Sequence, residues 1–186
     1  MTQLLFIVGS LHKNGFNAQL AEEAKALIGD RAEVKFLNYA DVPFFNQDEE
    51  FPNPPAAVAE ARKAVTEADG VWIFSPEYNY SYPGVLKNLL DWLSRPLEPF
   101  PADPVTVLAG KKVALSAVAG QSAGAGTRAK LNEVLGFNKA ELLPESEQVG
   151  VALPAESWGT GKLVLSDDDK AKLSAEVDAF LKFVEE

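Results

Sequence analysis

Apolar and polar positions change pattern in blocks along this chain, and the blocks predict strand and helix in turn. Leu4-Leu5-Phe6-Ile7-Val8 is a continuous apolar run ending at Gly9, the pattern of a strand covered on both faces. Leu20, Ala24, Leu27 and Ile28 recur at i, i+4, i+7 and i+8, which predicts a helix with Gly29 as its stop. Ala32 to Leu37 predicts a second, outer strand. Residues 39–55 carry Pro43, Pro52, Pro54 and Pro55 and predict a loop. Val58, Ala61 and Val65 predict a second helix, and Gly70 to Ser75 a third strand. Pro83 suits position N1 of a third helix carrying Leu86, Leu89, Leu90 and Leu93. Pro96, Pro99, Pro101 and Pro104 make residues 96–109 a loop. Lys112 to Val118 predicts a strand, Gly120 to Gly126 a glycine-rich turn, and Thr127 to about Leu135 a helix. A short strand is expected within Ala140 to Leu143, resuming at Val149 to Ala152. The last helix has Ser166 as cap and Asp169 as its capping-box partner, with Leu173, Val177, Phe180, Leu181 and Val184 along one face.

Strand and helix alternate about five times, and short crossovers of this kind make a parallel sheet covered on both faces. The expected fold is α/β: a flavodoxin-like three-layer sandwich, with a five-stranded parallel sheet of order 2-1-3-4-5 and helices on both faces. One domain spanning residues 1–186 is expected at this length. Ligands of such sheets sit beyond the carboxyl ends of the strands, at the switch point. The loops after strands one, three and four are therefore the candidate site.

Composition removes several chemistries. There is no cysteine, so a disulfide framework, a thiolate metal site and a cysteine nucleophile are excluded. A single histidine excludes His-rich zinc sites, and no metal is expected. Lysine plus arginine is 17 and aspartate plus glutamate is 27, so the net charge is 17 − 27 = −10. An acidic surface repels phosphate backbones, and nucleic acid is not an expected partner. No apolar run approaches the ~18 residues of a membrane helix, and MTQLLFIVGS shows neither a basic n-region nor a small-residue cleavage site. The expectation is a soluble cytoplasmic protein.

The first loop, Gly9 to Asn17, leaves a buried strand and enters a helix N-terminus, where free N–H groups and a partial positive charge suit a phosphate. Ser10 and Asn17 offer short polar donors, and Gly15 permits close backbone approach. It is neither a P-loop nor a G-x-G-x-x-G fingerprint, and an ordinary capped βα turn has the same appearance. The second loop, Ser75 to Gly84, gathers Glu77, Tyr78, Asn79, Tyr80 and Tyr82 at a strand's carboxyl end. A flat heteroaromatic ligand needs backbone amides at its edge and an aromatic wall on its face. The same tyrosines also suit packing or an interface, and Glu77 suits capping of the turn that follows it. Trp72 and Trp92 are expected in the core or an interface. The third loop, Ser116 to Gly126, is rich in glycine and alanine and leaves room against the backbone.

GSLHKNGFN followed by SPEYNYSYPGVLKNLLDWLSRP resembles the NADPH-dependent FMN reductase family of flavodoxin-like quinone, azo-dye and chromate reductases. The resemblance covers nearly the whole chain, in order, and the PEYNYSYPGVLKNLLDW stretch is its most specific part. It implies an FMN phosphate on the first loop, held by Ser10, Asn17 and neighbouring backbone, with His12, Gly15 and Phe16 in the same site. It implies an isoalloxazine lined by Pro76, Glu77, Tyr78 and Asn79, with Ser116 and Gly120 closing the other side. The first loop departs from the family's pattern: His12 stands where arginine is usual, Asn14 where glycine is usual, and Gly15 where serine is usual. Lys13 is the nearby cation that stands in for the arginine. These departures bear on affinity for FMN rather than on its identity.

The function this implies is an FMN-dependent oxidoreductase, taking hydride from NADPH or NADH and passing electrons to a quinone or another small electrophile by ping-pong turnover. The flavin carries that chemistry, so no catalytic acid, base or nucleophile is assigned. Two alternatives stand beside it: a flavodoxin-type electron carrier, and a flavin-less structural or regulatory relative. A homodimer or homotetramer is expected, because the helix after Pro83 is apolar around more than the ~100° stripe one sheet covers.

Overall fold

The computed structural model describes residues 1–102 and 104–186. Part of the predicted 96–109 loop, Asp103, therefore lies outside the described residues. Strands β1 (Gln3–Val8), β2 (Glu33–Phe36), β3 (Gly70–Phe74), β4 (Lys112–Ala119), β5 (Glu141–Leu142) and β6 (Gly150–Ala152) alternate with helices. The helices are α1 (Phe16–Ile28), α2 (Ala56–Glu67), α3 (Gly84–Leu93), α4 (Ala125–Phe137), α5 (Ala155–Thr160) and α6 (Asp167–Glu185).

All strand pairs are parallel, and the order is β2-β1-β3-β4-β5. The fifth position is divided as the sequence suggested. β5 pairs with the start of β4 at Lys112 and Val113, and β6 with its end at Ala117 to Ala119. The path therefore has five positions and six strands.

Residue parity along the strands sorts the core into two layers, because successive side chains point to opposite faces. Leu4 and Phe6 join Trp72, Phe74, Ala114 and Val118 under α1 and α6, which contribute Leu20, Ala24, Val177 and Phe180. Leu5 and Ile7 join Val71, Ile73, Val113 and Leu115 under α2, α3 and α4, which contribute Val65, Leu86, Leu89 and Leu131. Phe6, Trp72 and Phe74 touch as an aromatic cluster, with ring centroids 4.9 to 5.5 Å apart. The Ser166–Asp169 capping box of α6 forms as predicted. Among the described residues no helix is long and apolar enough to cross a membrane.

Three expectations change. Pro83 is the N-cap of α3 rather than its first residue, with extended ψ of 150°. Leu27, placed on the inner stripe of α1, is exposed, because α1 rests on the sheet through Leu20, Ala21, Ala24 and Ile28. Most consequentially, the apolar surplus of α3 is spent inside the chain. Leu86, Leu89, Leu90, Trp92 and Leu93 are all buried. The far side of the helix lies under the 39–55 loop, where Trp92 Nε1 donates to the Pro43 carbonyl at 2.8 Å, and against α2, where Arg62 Nη2 donates to the Trp92 carbonyl at 3.1 Å. This helix therefore gives no reason for a symmetry mate.

Candidate functional site

The carboxyl ends of β1, β3 and β4 open into a crevice of about 430 Å³. Its first wall is the turn into α1. Gly9 N–H donates to the Phe74 carbonyl at 2.7 Å, which extends the β1–β3 ladder one residue past the strand. From the other side the Tyr39 hydroxyl donates to the Val8 carbonyl at 2.6 Å. Burial raises the pKa of that hydroxyl, so it stays a donor. The departure point of the loop is thus held from both neighbours. Ser10 Oγ then accepts the His12 N–H at 3.2 Å and the His12 carbonyl accepts the Gly15 N–H at 3.1 Å, closing a compact turn.

Helix α1 begins at this turn with no side-chain cap and no acidic residue in its first turn. The first helical bond runs from Gln19 N–H to the Gly15 carbonyl. The N–H groups of Phe16, Asn17 and Ala18 precede it and have no carbonyl within the helix to reach. All three residues line the crevice, with Ser10, His12 and Gly15 beside them. Uncapped donors at a positive helix end are the donor set an anion takes. Asn17 itself is not a free donor: it is buried, and its amide is bound at both ends to the Val118 backbone. The expectation that its side chain reaches a phosphate is corrected. It joins α1 to the end of β4 instead.

The second wall is the loop after β3. Pro76, Glu77 and Tyr78 line the crevice. Asn79 does not. Tyr78 and Ser81 exchange backbone hydrogen bonds at 2.8 and 3.1 Å around a two-residue turn. Asn79 and Tyr80 occupy that turn with φ of 53° and 60°, the double left-handed conformation of a type I′ hairpin. Asn79 is suited to this conformation and Tyr80 is strained in it. Asn79 therefore shapes the loop rather than bordering the crevice.

Glu77 caps a helix, though not the adjacent one. Its Oε2 accepts the Thr127 N–H in the first turn of α4 at 3.0 Å. Gly126 makes this approach possible: a Cβ there would lie 3.0 Å from both Glu77 Oε2 and the Tyr80 carbonyl. The second and third loops are thereby joined.

The third wall is Val118, Ala119 and Gly120, where a Cβ on Gly120 would meet nothing within 4 Å. Ser116 is not part of it. That residue is fully buried, accepts from Trp72 Nε1 at 2.9 Å and donates to Glu176 Oε2 at 2.8 Å. Its position points it into the α6 layer, and the expectation that it closes the site is corrected. Lys13, the expected stand-in cation, is not among the residues lining this crevice; it lines an adjoining hollow with Glu22 and Glu23, and Ser10 and His12 border both.

A fourth wall escaped sequence reasoning: Leu153, Trp158 and Gly161, from the segment after β6. The one available signal was a tryptophan set among glycines in ESWGTG, in a stretch without periodicity.

Known proteins match this arrangement. The family model described as NADPH-dependent FMN reductase matches residues 2–151. A quinone reductase of Escherichia coli is 33% identical over 189 residues, covering 98% of this chain and 95% of that protein. An NAD(P)H-dependent FMN reductase of Pseudomonas aeruginosa is 33% identical over 153 residues, covering 78% of this chain and 79% of its own. Among solved structures, FerB of Paracoccus denitrificans, a flavoenzyme NAD(P)H:(acceptor) oxidoreductase, superposes with a TM-score of 0.84. It is 26% identical and covers 100% of this chain and 98% of its own.

Proposed function

The chain belongs to the NADPH-dependent FMN reductase family, and on that premise we propose that it binds FMN in the crevice described above and reduces quinones with NADPH or NADH. Residues 1–186 act as one flavin-binding domain in this reading. The observation that carries it is the uncapped N-terminus of α1 opening into the same crevice as Pro76 to Tyr78. The N–H groups of Phe16, Asn17 and Ala18 and the turn from Ser10 to Gly15 receive the phosphate. The backbone of Pro76, Glu77 and Tyr78 borders the edge of the isoalloxazine, and Gly120 leaves its other side clear. When bound, the flavin supplies a two-electron relay between nicotinamide and quinone. The chain positions it, shields it from water and assigns no side chain to proton transfer. Because one crevice serves donor and acceptor, turnover is ping-pong.

In the same reading the protein is a cytoplasmic homodimer or homotetramer. With α3 fully used inside the chain, the support for association is the exposed Phe44 and Tyr80.

The test is to purify the protein, measure bound FMN from its visible absorbance, and mix it anaerobically with NADPH and with NADH. Rapid loss of the oxidised flavin band is expected. A chain that stays colourless in excess FMN overturns the cofactor assignment. A coloured chain that neither nucleotide bleaches is an electron carrier instead.

A further inference from the structure

The crevice has a wall that the cofactor loops do not need. The turn into α1 and the loops after β3 and β4 account for a phosphate and the edge of a flat ring. Leu153, Trp158 and Gly161 lie outside those loops and still line the space.

Trp158 differs from the other two tryptophans. Trp72 and Trp92 are buried, and each spends its indole N–H inside the protein, on Ser116 Oγ at 2.9 Å and on the Pro43 carbonyl at 2.8 Å. Trp158 is 63% exposed although it lines the crevice. Among the described residues its Nε1 has no partner. Its single aromatic neighbour among the described residues is Phe16, edge-on at 5.8 Å and 79°, and none of their rings is stacked parallel to it. A large apolar face and a free donor thus stand beside the same space.

The segment that carries the indole is also held in place. On one side, buried Ser157 accepts the Val164 N–H on its Oγ at 3.1 Å, and its carbonyl accepts the Gly161 N–H at 2.8 Å. On the other, Gln19 donates to the Asn14 and Gly161 carbonyls at 3.0 and 2.9 Å and accepts the Leu163 N–H at 2.8 Å. Gln19 therefore locks this segment to the first loop. A wall tied to the anion-binding turn, aromatic, exposed and unpaired, is preorganised for a ligand rather than for packing.

We infer that Trp158 is the acceptor-binding residue of the crevice, the face against which a flat aromatic quinone lies while it is reduced. The inference rests on the flavin reading above. The overall reaction balances as NAD(P)H plus quinone plus a proton from solvent giving NAD(P)⁺ and hydroquinone. Trp158 takes no proton and no electron; it supplies a stacking surface and one N–H for a quinone oxygen.

The experiment uses flavin-loaded protein, its loading checked by absorbance before any acceptor is added. Calorimetric titration of the oxidised protein with 2-naphthol, a flat mimic that the flavin does not reduce, is compared for the parent, Trp158→Ala and Trp158→Phe. Loss of about tenfold in affinity is expected for Trp158→Ala, the size of one aromatic stacking contact. Most of that loss is recovered in Trp158→Phe. The ratio of kcat/KM for 1,4-naphthoquinone to that for ferricyanide, which has no ring to stack, falls by a similar factor in Trp158→Ala. Equal naphthol affinity and an unchanged ratio overturn the inference while leaving the flavin reading intact. Failure of the parent to load flavin overturns both readings, whereas failure of Trp158→Ala alone makes Trp158 a flavin contact and overturns only the inference; either is seen before the titration begins.

Discussion

Asn17, in the first turn of α1, and Val118, near the end of β4, exchange two hydrogen bonds: the Val118 N–H reaches Asn17 Oδ1 at 2.8 Å, and Asn17 Nδ2 reaches the Val118 carbonyl at 3.0 Å. A side-chain amide here takes the place of a neighbouring strand. It fixes the uncapped N-terminus of α1 against the end of β4. Asn17→Ala leaves two buried backbone groups without partners, and an unmade buried hydrogen bond costs about 1–3 kcal/mol. Urea unfolding of flavin-free protein is expected to show a loss of that size, and FMN titration a weaker affinity. Asn17→Asp keeps the acceptor but sets a carboxylate against the Val118 carbonyl, and is expected to lose stability as well.

His12 lines the crevice beside the free N–H groups of α1. His12→Arg places a permanent cation with a planar donor fork near the proposed phosphate. A charge-assisted hydrogen bond is worth about 1.5–3 kcal/mol, so FMN is expected to bind about tenfold more tightly. Riboflavin, which has no phosphate, should show no gain. Equal gains for both ligands would remove His12 from the phosphate site.

Glu77 binds the first turn of α4 from a different loop. Glu77→Ala removes a helix cap, which costs about 0.5–2 kcal/mol. It also frees the loop after β3 from the loop after β4. Lower stability and weaker FMN binding are expected together. Glu77→Gln keeps an oxygen for the Thr127 N–H, and calorimetry should place it between the parent and Glu77→Ala on both measures.

Glu176 is only 1% exposed on α6, and burial pushes its carboxyl up to about 8. The Ser116 hydroxyl, the Val149 N–H and the charge of Arg128 pull the other way without prevailing. In the unfolded chain the carboxyl titrates near its ordinary value of 4.5. Between about 4.5 and about 8 the folded protein holds a proton that the unfolded chain has released. Stability therefore falls as pH rises through that window, by up to about 1.4 kcal/mol per pH unit, and the loss levels off above it. Glu176→Gln removes this slope. Urea midpoints from about pH 5 to about pH 9 are expected to diverge, with the variant gaining on the parent toward high pH. Parallel curves would show that Glu176 is ionised when folded.

Phe44 and Tyr80 are 89% and 77% exposed, and Tyr80 is held at a φ of 60°. A bulky residue in a left-handed conformation costs of order 1–3 kcal/mol and persists where surrounding structure demands it. A second copy covering the turn at Tyr80 would supply the demand. Light scattering is expected to give a multiple of the 20.1 kDa chain mass, and the double variant Phe44→Asp, Tyr80→Asp the monomer. A parent mass near that of one chain would end the proposal.

Much of this protein is dictated locally. Continuous apolar runs at Leu4 to Val8 and Gly70 to Phe74 state that both strand faces are covered, whatever covers them. Gly29 with its φ of 56° and the Ser166–Asp169 box mark helix ends through backbone geometry and a contact three residues long. The strand alternation then leaves few topologies, and the divided fifth strand was visible as two short apolar segments. The loops facing the crevice followed from that topology, so most of the proposed cofactor contacts were legible too.

Pairing across distance was not. Ser116 and Asn17 have the residue types of ligand donors, but their partners, Glu176 and Val118, lie 60 and 101 residues away. Glu77 reaches across 50 residues to cap α4, not the turn beside it. The apolar surplus of α3 looked like an interface until the 39–55 loop folded over it. Trp158 sits in a six-residue helix with no period to reveal it, and only its docking through Gln19 brings it to the crevice. A side chain's residue type limits what it can bond. Which partner it meets is decided by long-range packing, and that packing decides whether a polar group serves a ligand or the fold.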